Sequence, residues 1–254
     1  MSVKVDNQVG FILHTTPYKE SSLLVDLFTL QYGRIRCVAK GYRKPSKTGA
    51  TRALFPYTEY QLGWLGRGDL KTLIQSEAIG ASLFLQGSKL FTGLYVNELF
   101  YRLLHEYDPY ETLFTQYQYF LQKLAAGTSR ENDLRQLEMC LLDELGYGLA
   151  LDADAIHGLP LIADKLYNYI PEQGLIECSN QKNRISGVYK GIDLIAFARG
   201  DSISQSVSKT AKHLLRSVIN FYLNGKPLHS RALYRDYLSS NSEVSEGVNM
   251  ESSS

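Results

Sequence analysis

The spacing of apolar residues changes once along this chain, near residue 82, and that change limits what it can fold into. Before it, apolar residues come in short runs. Val9–His14 is compact and apolar, and Ser22–Phe28 follows. Arg34–Ala39 then alternates polar with apolar, the pattern of a strand with one wet face. Residues 54–64 and 70–78 give two more strands, joined by the glycine-rich turn Gly63-Trp-Leu-Gly-Arg-Gly68. Five short strands leave unpaired edges unless the sheet closes. A small barrel is therefore expected, and the OB-fold is the commonest five-stranded solution of this size.

After residue 82 the period is helical. Leu90, Leu94, Leu99 and Leu103 line one face. Asp108-Pro-Tyr-Glu111 predicts a helix start, with Asp108 as the cap and Pro109 at the first position, where its missing N–H costs little. That helix carries Leu113, Phe114, Tyr117, Phe120, Leu121 and Leu124 and stops at Gly127. Another start at Ser129 opens a leucine stripe that Gly146 ends. Residues 165–170 and 175–178 flank Pro171-Glu-Gln-Gly174 as a hairpin. Helices are expected over 192–198, 206–223 and 230–238, and the Ser-, Glu- and Asn-rich residues 239–254 are expected to be disordered. The predicted class is α+β: an OB-fold barrel over residues 1–80, a mainly helical domain with a small β-hairpin insertion over 81–238, and a tail.

Charge becomes informative when it is divided. Eleven Lys and Arg against six Asp and Glu leave residues 1–80 at +5, and since the whole chain is +1, the remainder is −4. A local field of this kind steers an anionic partner. The sharpest segment is 34–52, which holds Arg34, Arg36, Lys40, Arg43, Lys44, Lys47 and Arg52 and no acid. Arg34 and Arg36 lie two apart on a strand and so face the same way, while Gly41, Pro45, Ser46, Thr48 and Gly49 predict a mobile loop after them. Such a groove and loop suit a phosphate backbone, and Tyr42 within the loop could stack on a base. The competing account is a solvated loop that is basic by chance.

In the helical half, Arg135 beside a leucine stripe could clamp a carboxylate, or it could simply pair with Glu131 or Glu138 at helical spacing. Lys209, Lys212 and Arg216 share one helix face, as a positive track or only a wet surface. Other chemistries find little support. Cys37, Cys140 and Cys178 are far apart, with no zinc-type pairing, and no cofactor is expected. Cys37 alternates with Arg36 and Val38 and should face the barrel core rather than act as a nucleophile. There is no serine elbow and no phosphate loop, so catalysis is not expected. The scattered cysteines and the absence of a secretory leader or a long apolar run predict a cytoplasmic protein with no membrane contact.

Several stretches, in order, resemble the RecO family of bacterial recombination mediators. They are Gly10-Phe-Ile-Leu-His14, Glu20-Ser-Ser-Leu-Leu24, Gly33-Arg-Ile-Arg36, Val38-Ala-Lys-Gly41, Gly66-Arg-Gly68, Leu94-Tyr-Val-Asn-Glu-Leu99, Leu142-Asp-Glu-Leu-Gly-Tyr-Gly148 and Gly225-Lys-Pro-Leu-His-Ser-Arg231. The resemblance spans about residues 8–238. It implies binding of single- and double-stranded DNA, annealing of complementary strands, and assistance to RecA on DNA coated by single-stranded-DNA-binding protein (SSB). It further implies work with RecR, phosphate contacts from the cations of 34–47, and docking of the acidic SSB tail on the helical domain at Arg135. Many members hold four zinc cysteines after the Leu-Gly-Tyr motif. This chain keeps only Cys178 there and resembles the zinc-free branch. The other reading of the residues is an OB-fold RNA-binding protein, associated with the ribosome or with transfer RNA.

Overall fold

A computed structural model of the chain describes residues 3–43, 53–178, 187–200 and 204–251, with side chains of the last helix described as far as Ser240. Five strands, β1 (Lys4–Tyr18), β2 (Ser22–Thr29), β3 (Gly33–Ala39), β4 (Glu59–Leu65) and β5 (Leu70–Ala78), close into a barrel in the order β1-β2-β3-β5-β4. All neighbours pair antiparallel except β3 and β5, which run parallel where Arg36–Val38 meets Leu70–Thr72. This closed five-stranded arrangement is the expected OB-fold. Its interior is built by strand alternation: Val25, Leu27, Ile35, Cys37, Ala39, Leu62, Trp64 and Leu73 point inward and are buried. β1 is longer than the apolar run suggested because its first half pairs with β4 and its second with β2, with a register shift at Ile12/His14. β4 begins at Glu59, later than the expected residue 54.

The remaining described elements are α1 (Ser88–Leu103), α2 (Glu111–Ala126), α3 (Glu131–Glu144), a small sheet of β6 (Leu166–Ile170), β7 (Gly174–Glu177) and β8 (Val188–Lys190), α4 (Gly191–Arg199), α5 (Gln205–Tyr222) and α6 (His229–Glu251). The hairpin of β6 and β7 is as expected. β8 was not foreseen, because three residues are too few to show a period.

Two expected helix starts move. α2 begins at Glu111 with Tyr110 before it, and Asp108 instead accepts a hydrogen bond from the Tyr110 hydroxyl. Gly33, at φ 61, lies so close to Asp108 that a Cβ would meet its carbonyl oxygen, so tertiary packing rather than capping fixes Asp108. α3 starts two residues beyond Ser129, at Glu131, with Arg130 as its cap, whose N–H donates to Asp133. At the far end, helical backbone runs past Leu238 to Glu251, where disorder was expected. Extending a formed helix needs no new nucleus, and the segment contains no proline.

The chain divides into two compact units. The first comprises residues 1–114, 121–127 and 227–254, so α1 and α6 belong with the barrel. Two adjacent α1 residues explain this. Asn97 donates its side-chain amide to the carbonyls of Ile12 and Leu13, at the irregularity of β1. Glu98 accepts from the N–H groups of His229 and Ser230, satisfying donors at the start of α6. Phe28 and Phe11 leave the barrel surface to pack on Phe100 and Phe114. The second unit comprises residues 115–120 and 128–226. Its core includes Leu137, Leu141, Leu194, Phe197, Leu214, Leu215 and Val218, from α3, α4 and α5.

Candidate nucleic-acid interface

β3 presents Arg34 and Arg36 on its outer face, as its alternation requires, but they do not have equal freedom. Both reach one oxygen of the buried Asp26 on β2, Arg34 Nη1 at 3.0 Å and Arg36 Nε at 2.9 Å. Arg34 also bonds Glu106 at 3.1 Å and donates Nε to the Leu104 carbonyl at 3.0 Å. Its side chain is only 13% exposed. The expectation that Arg34 is a phosphate ligand is corrected here, because its donors join β3 to the segment after α1. Arg36 is 32% exposed, with its Nε alone fixed by Asp26, so its outer nitrogens can serve a ligand. Both guanidiniums lie 5.9 Å from the Tyr101 ring, on which His14 also packs.

Beyond β3, Lys40 is exposed, and Gly41 turns the chain at φ 78. Tyr42 packs against the barrel core, and its hydroxyl shares a 2.6 Å hydrogen bond with Ser76. That side chain is committed to the fold and does not present a free ring for stacking. Arg43 is exposed, and its Nη1 donates to the Lys19 carbonyl at 2.8 Å, which brings it beside the β1–β2 turn. Lys44, Lys47 and Arg52 lie outside the described residues. The structure therefore brings Arg36, Lys40 and Arg43 onto the β3 side of the barrel.

Sequence reasoning missed the β4–β5 turn as part of a rim. Arg67 is exposed there, and Lys71 sits 4.9 Å from the ring of Tyr107, whose hydroxyl donates to the Asp69 carbonyl. Only the glycines on either side of Arg67 hinted at this turn. Of the other aromatics, Tyr57, Tyr60 and Trp64 are buried.

Nucleophilic chemistry at Cys37 is disfavoured. The thiol is buried, and desolvation pushes it up to about 12. Among the described residues no three His, Cys, Asp or Glu side chains come together as a metal site. No described helix is long and apolar enough to cross a membrane.

In the second unit, Arg135 is buried at 7% exposure rather than lying on the surface. It bonds the buried Glu138, with Glu131 at 4.0 Å. Its Nε–H has no hydrogen-bond partner among the described residues. Lys209, Lys212 and Arg216 are exposed on one face of α5, and Lys212 approaches Glu131 at 3.6 Å.

A closed OB barrel followed by helices and an inserted three-stranded sheet defines the class: an OB-fold protein with a helical second region. Two family models match it, "Recombination protein O N terminal" over residues 1–81 and "Recombination protein O C terminal" over 85–232. The chain belongs to the Recombination protein O family. It is similar to the DNA repair protein RecO of Pseudomonas paraeruginosa, 42% identical over 227 residues, which is 89% of this chain and 94% of that protein. The RecO of Nitrosospira multiformis is 39% identical over 91% of this chain and 95% of its own length. That of Coxiella burnetii is 39% identical over 92% and 99%.

Proposed function

We propose that the chain is a DNA-binding recombination mediator in DNA repair that acts by holding strands, without a chemical step. The observation that carries this reading is the trio on the β3 side of an OB barrel, the half-buried Arg36 with the exposed Lys40 and Arg43. OB-folds hold oligonucleotides on the β2–β3 face and on the β1–β2 and β4–β5 loops. Here those loops contribute Lys19 and Arg67, both exposed. Lys44, Lys47 and Arg52 continue the acid-free cationic run in sequence. Cations spread along such a face release counterions from a phosphate backbone without reading its bases. Two strands neutralised on one protein can then anneal with no catalytic group.

The partners follow from membership of the family: SSB through its acidic tail, RecR, and RecA indirectly. Arg135 supports the tail reading through its unpartnered Nε–H.

The test is a triple substitution of Arg43, Lys44 and Lys47 to Ala. Single-stranded DNA affinity should fall, and the slope of log affinity against log salt should become shallower by about 2, from three contacts at about 0.7 each. Unchanged affinity and slope would remove the barrel from the interface.

A further inference from the structure

The outer face of the barrel carries an aromatic pair that the cationic rim does not use. By register, His14 on β1, Asp26 on β2 and Arg36 on β3 stand in one row across the sheet. Unbroken alternation from the inward Ile12 would point His14 inward too, and the register shift between them turns it out. Tyr101, near the C-terminal end of α1, lies beside that row. Its ring centroid is 4.8 Å from that of His14, with 34° between the planes, and 5.9 Å from the guanidinium carbon of Arg36. Tyr101 is half-buried, whereas His14 is exposed. The His14 ring also meets the Thr16 hydroxyl, at 3.2 Å, through Nε2 at its edge. Asp26 and Glu106, the carboxylates that reach Arg34 and Arg36, are both paired with them.

We infer that the His14–Tyr101 pair is a base-stacking ledge, the part of the barrel interface that tells an unpaired strand from a duplex. The inference rests on the nucleic-acid reading above, and it adds a contact to bases where that reading has contacts to phosphates. An exposed imidazole set on a second ring adds little burial to the fold, and its outer side is left for a ligand. Tyr42, the ring that the sequence offered for stacking, is committed to Ser76 and the barrel core. Arg36 stands beside the same Tyr101 ring with its outer nitrogens open. β1 and β3 lie two strand spacings apart, about 10 Å, so a nucleic-acid strand crossing them meets a ring at one end and a cation at the other. Stacking asks only for an uncovered base face, which any unpaired base can offer and which a base inside a duplex keeps against its neighbours. The contact is therefore blind to sequence and sensitive to strandedness.

The experiment compares the full chain with H14A, H14F and the barrel variant R43A/K44A/K47A. Each is titrated with oligothymidylate, with a duplex, and with an abasic strand of the same length as the oligothymidylate, which has its phosphates and no bases. In the full chain the affinity for oligothymidylate should exceed that for the abasic strand. H14A should lower that ratio about tenfold, the size of one modest stacking contact. The ratio of single-strand to duplex affinity should fall with it. H14F, which keeps a ring and removes the ring nitrogens, should retain both ratios. A strand carrying 2-aminopurine reports stacking directly, because a stacked 2-aminopurine is quenched. Its fluorescence should drop on saturation with the full chain or H14F and stay higher with H14A.

If H14A weakens binding of the abasic strand as much as that of oligothymidylate, His14 acts through charge or through the fold, and the ledge is refuted. Unchanged binding of both strands refutes it as well. If H14F falls with H14A, the imidazole itself is needed rather than a ring, and the inference is overturned. The barrel variant keeps the two failures apart. It should lose affinity for both strands alike, and if it does not, the barrel reading fails whatever the His14 ratio shows. His14 is exposed, and a thermal melt checks that each variant is folded.

Discussion

Glu98 and Ser230 lie 132 positions apart, yet one carboxylate oxygen of Glu98 takes both the backbone N–H of Ser230, at 2.9 Å, and its hydroxyl, at 2.7 Å. The other oxygen accepts from the His229 N–H at 2.9 Å and faces Arg102 at 3.4 Å. α6 is thus fastened to α1 through the first donors of its backbone. Partial burial works to raise the Glu98 carboxyl, but the hydrogen bonds from Ser230 and His229, with Arg102 beside it, outweigh burial and hold it below the ordinary range. A carboxyl lowered in the folded state stabilises the fold above its unfolded pKa, and that contribution is lost as pH falls through the folded value. Glu98→Gln should cost about 1–2 kcal/mol at pH 7, read by urea unfolding. The difference between variant and parent should shrink below pH 4. A constant difference across that range would contradict the account.

Asp26 serves both Arg34 and Arg36, and only Arg36 has exposure to spare. Asp26→Asn should therefore act mainly on stability. It leaves the largely buried Arg34 with one carboxylate, Glu106, and should cost about 3 kcal/mol. Arg43→Ala, on an exposed side chain, should leave the melting temperature nearly unchanged while weakening DNA binding. If Asp26→Asn and Arg43→Ala gave the same profile in melting and binding, the separation of structural from ligand-facing arginines would fail.

The acid-free run and the alternation of β3 were legible in the sequence, because both are local patterns. What Arg34 does was not, because its partners Asp26, Leu104 and Glu106 come from other elements, up to 72 residues away. Tyr42 looked free for the same reason: Ser76, which shares its hydroxyl hydrogen bond, is 34 residues on. The helix from Asp108 began late because Gly33 and Tyr110 hold that aspartate. The Asn97-Glu98 pair could be quoted as part of a family motif, but its two roles need the coordinates of β1 and α6. At Arg135 the competing reading, pairing with Glu138, is present in the structure, though as a buried pair that leaves one donor unused.

Asp154 fastens the small sheet of the second unit through hydrogen bonds to its carboxylate. Its carboxylate accepts from the N–H groups of Ile156 and His157 within its own turn and of Glu177 on β7, and from the His157 ring. The N–H of His157, then that of Glu177, lower it to about 2. The staple should hold above the unfolded carboxyl range, and it is lost only as pH falls through the folded value. Hydrogen exchange at the Glu177 amide should stay protected at pH 4 in the parent and rise in Asp154→Ala. Equal protection in both would show that the carboxylate holds nothing.

Cys37 should not react with a thiol reagent at neutral pH in the folded protein, since it is wholly buried with its thiol at about 12. Cys140 and Cys178 are half-buried and should label first. Labelling of Cys37 should track global unfolding in urea. Rapid modification of native Cys37 would contradict its burial in the barrel core.

The central claim is that single-stranded DNA lies on the β3 side of the barrel. Photo-cross-linking an oligonucleotide with a reactive group at each position, followed by mapping of the attached peptides, tests it most directly. The account predicts adducts within residues 36–47 and at the β4–β5 turn around Arg67. Adducts that leave both segments untouched while the DNA remains bound would contradict it.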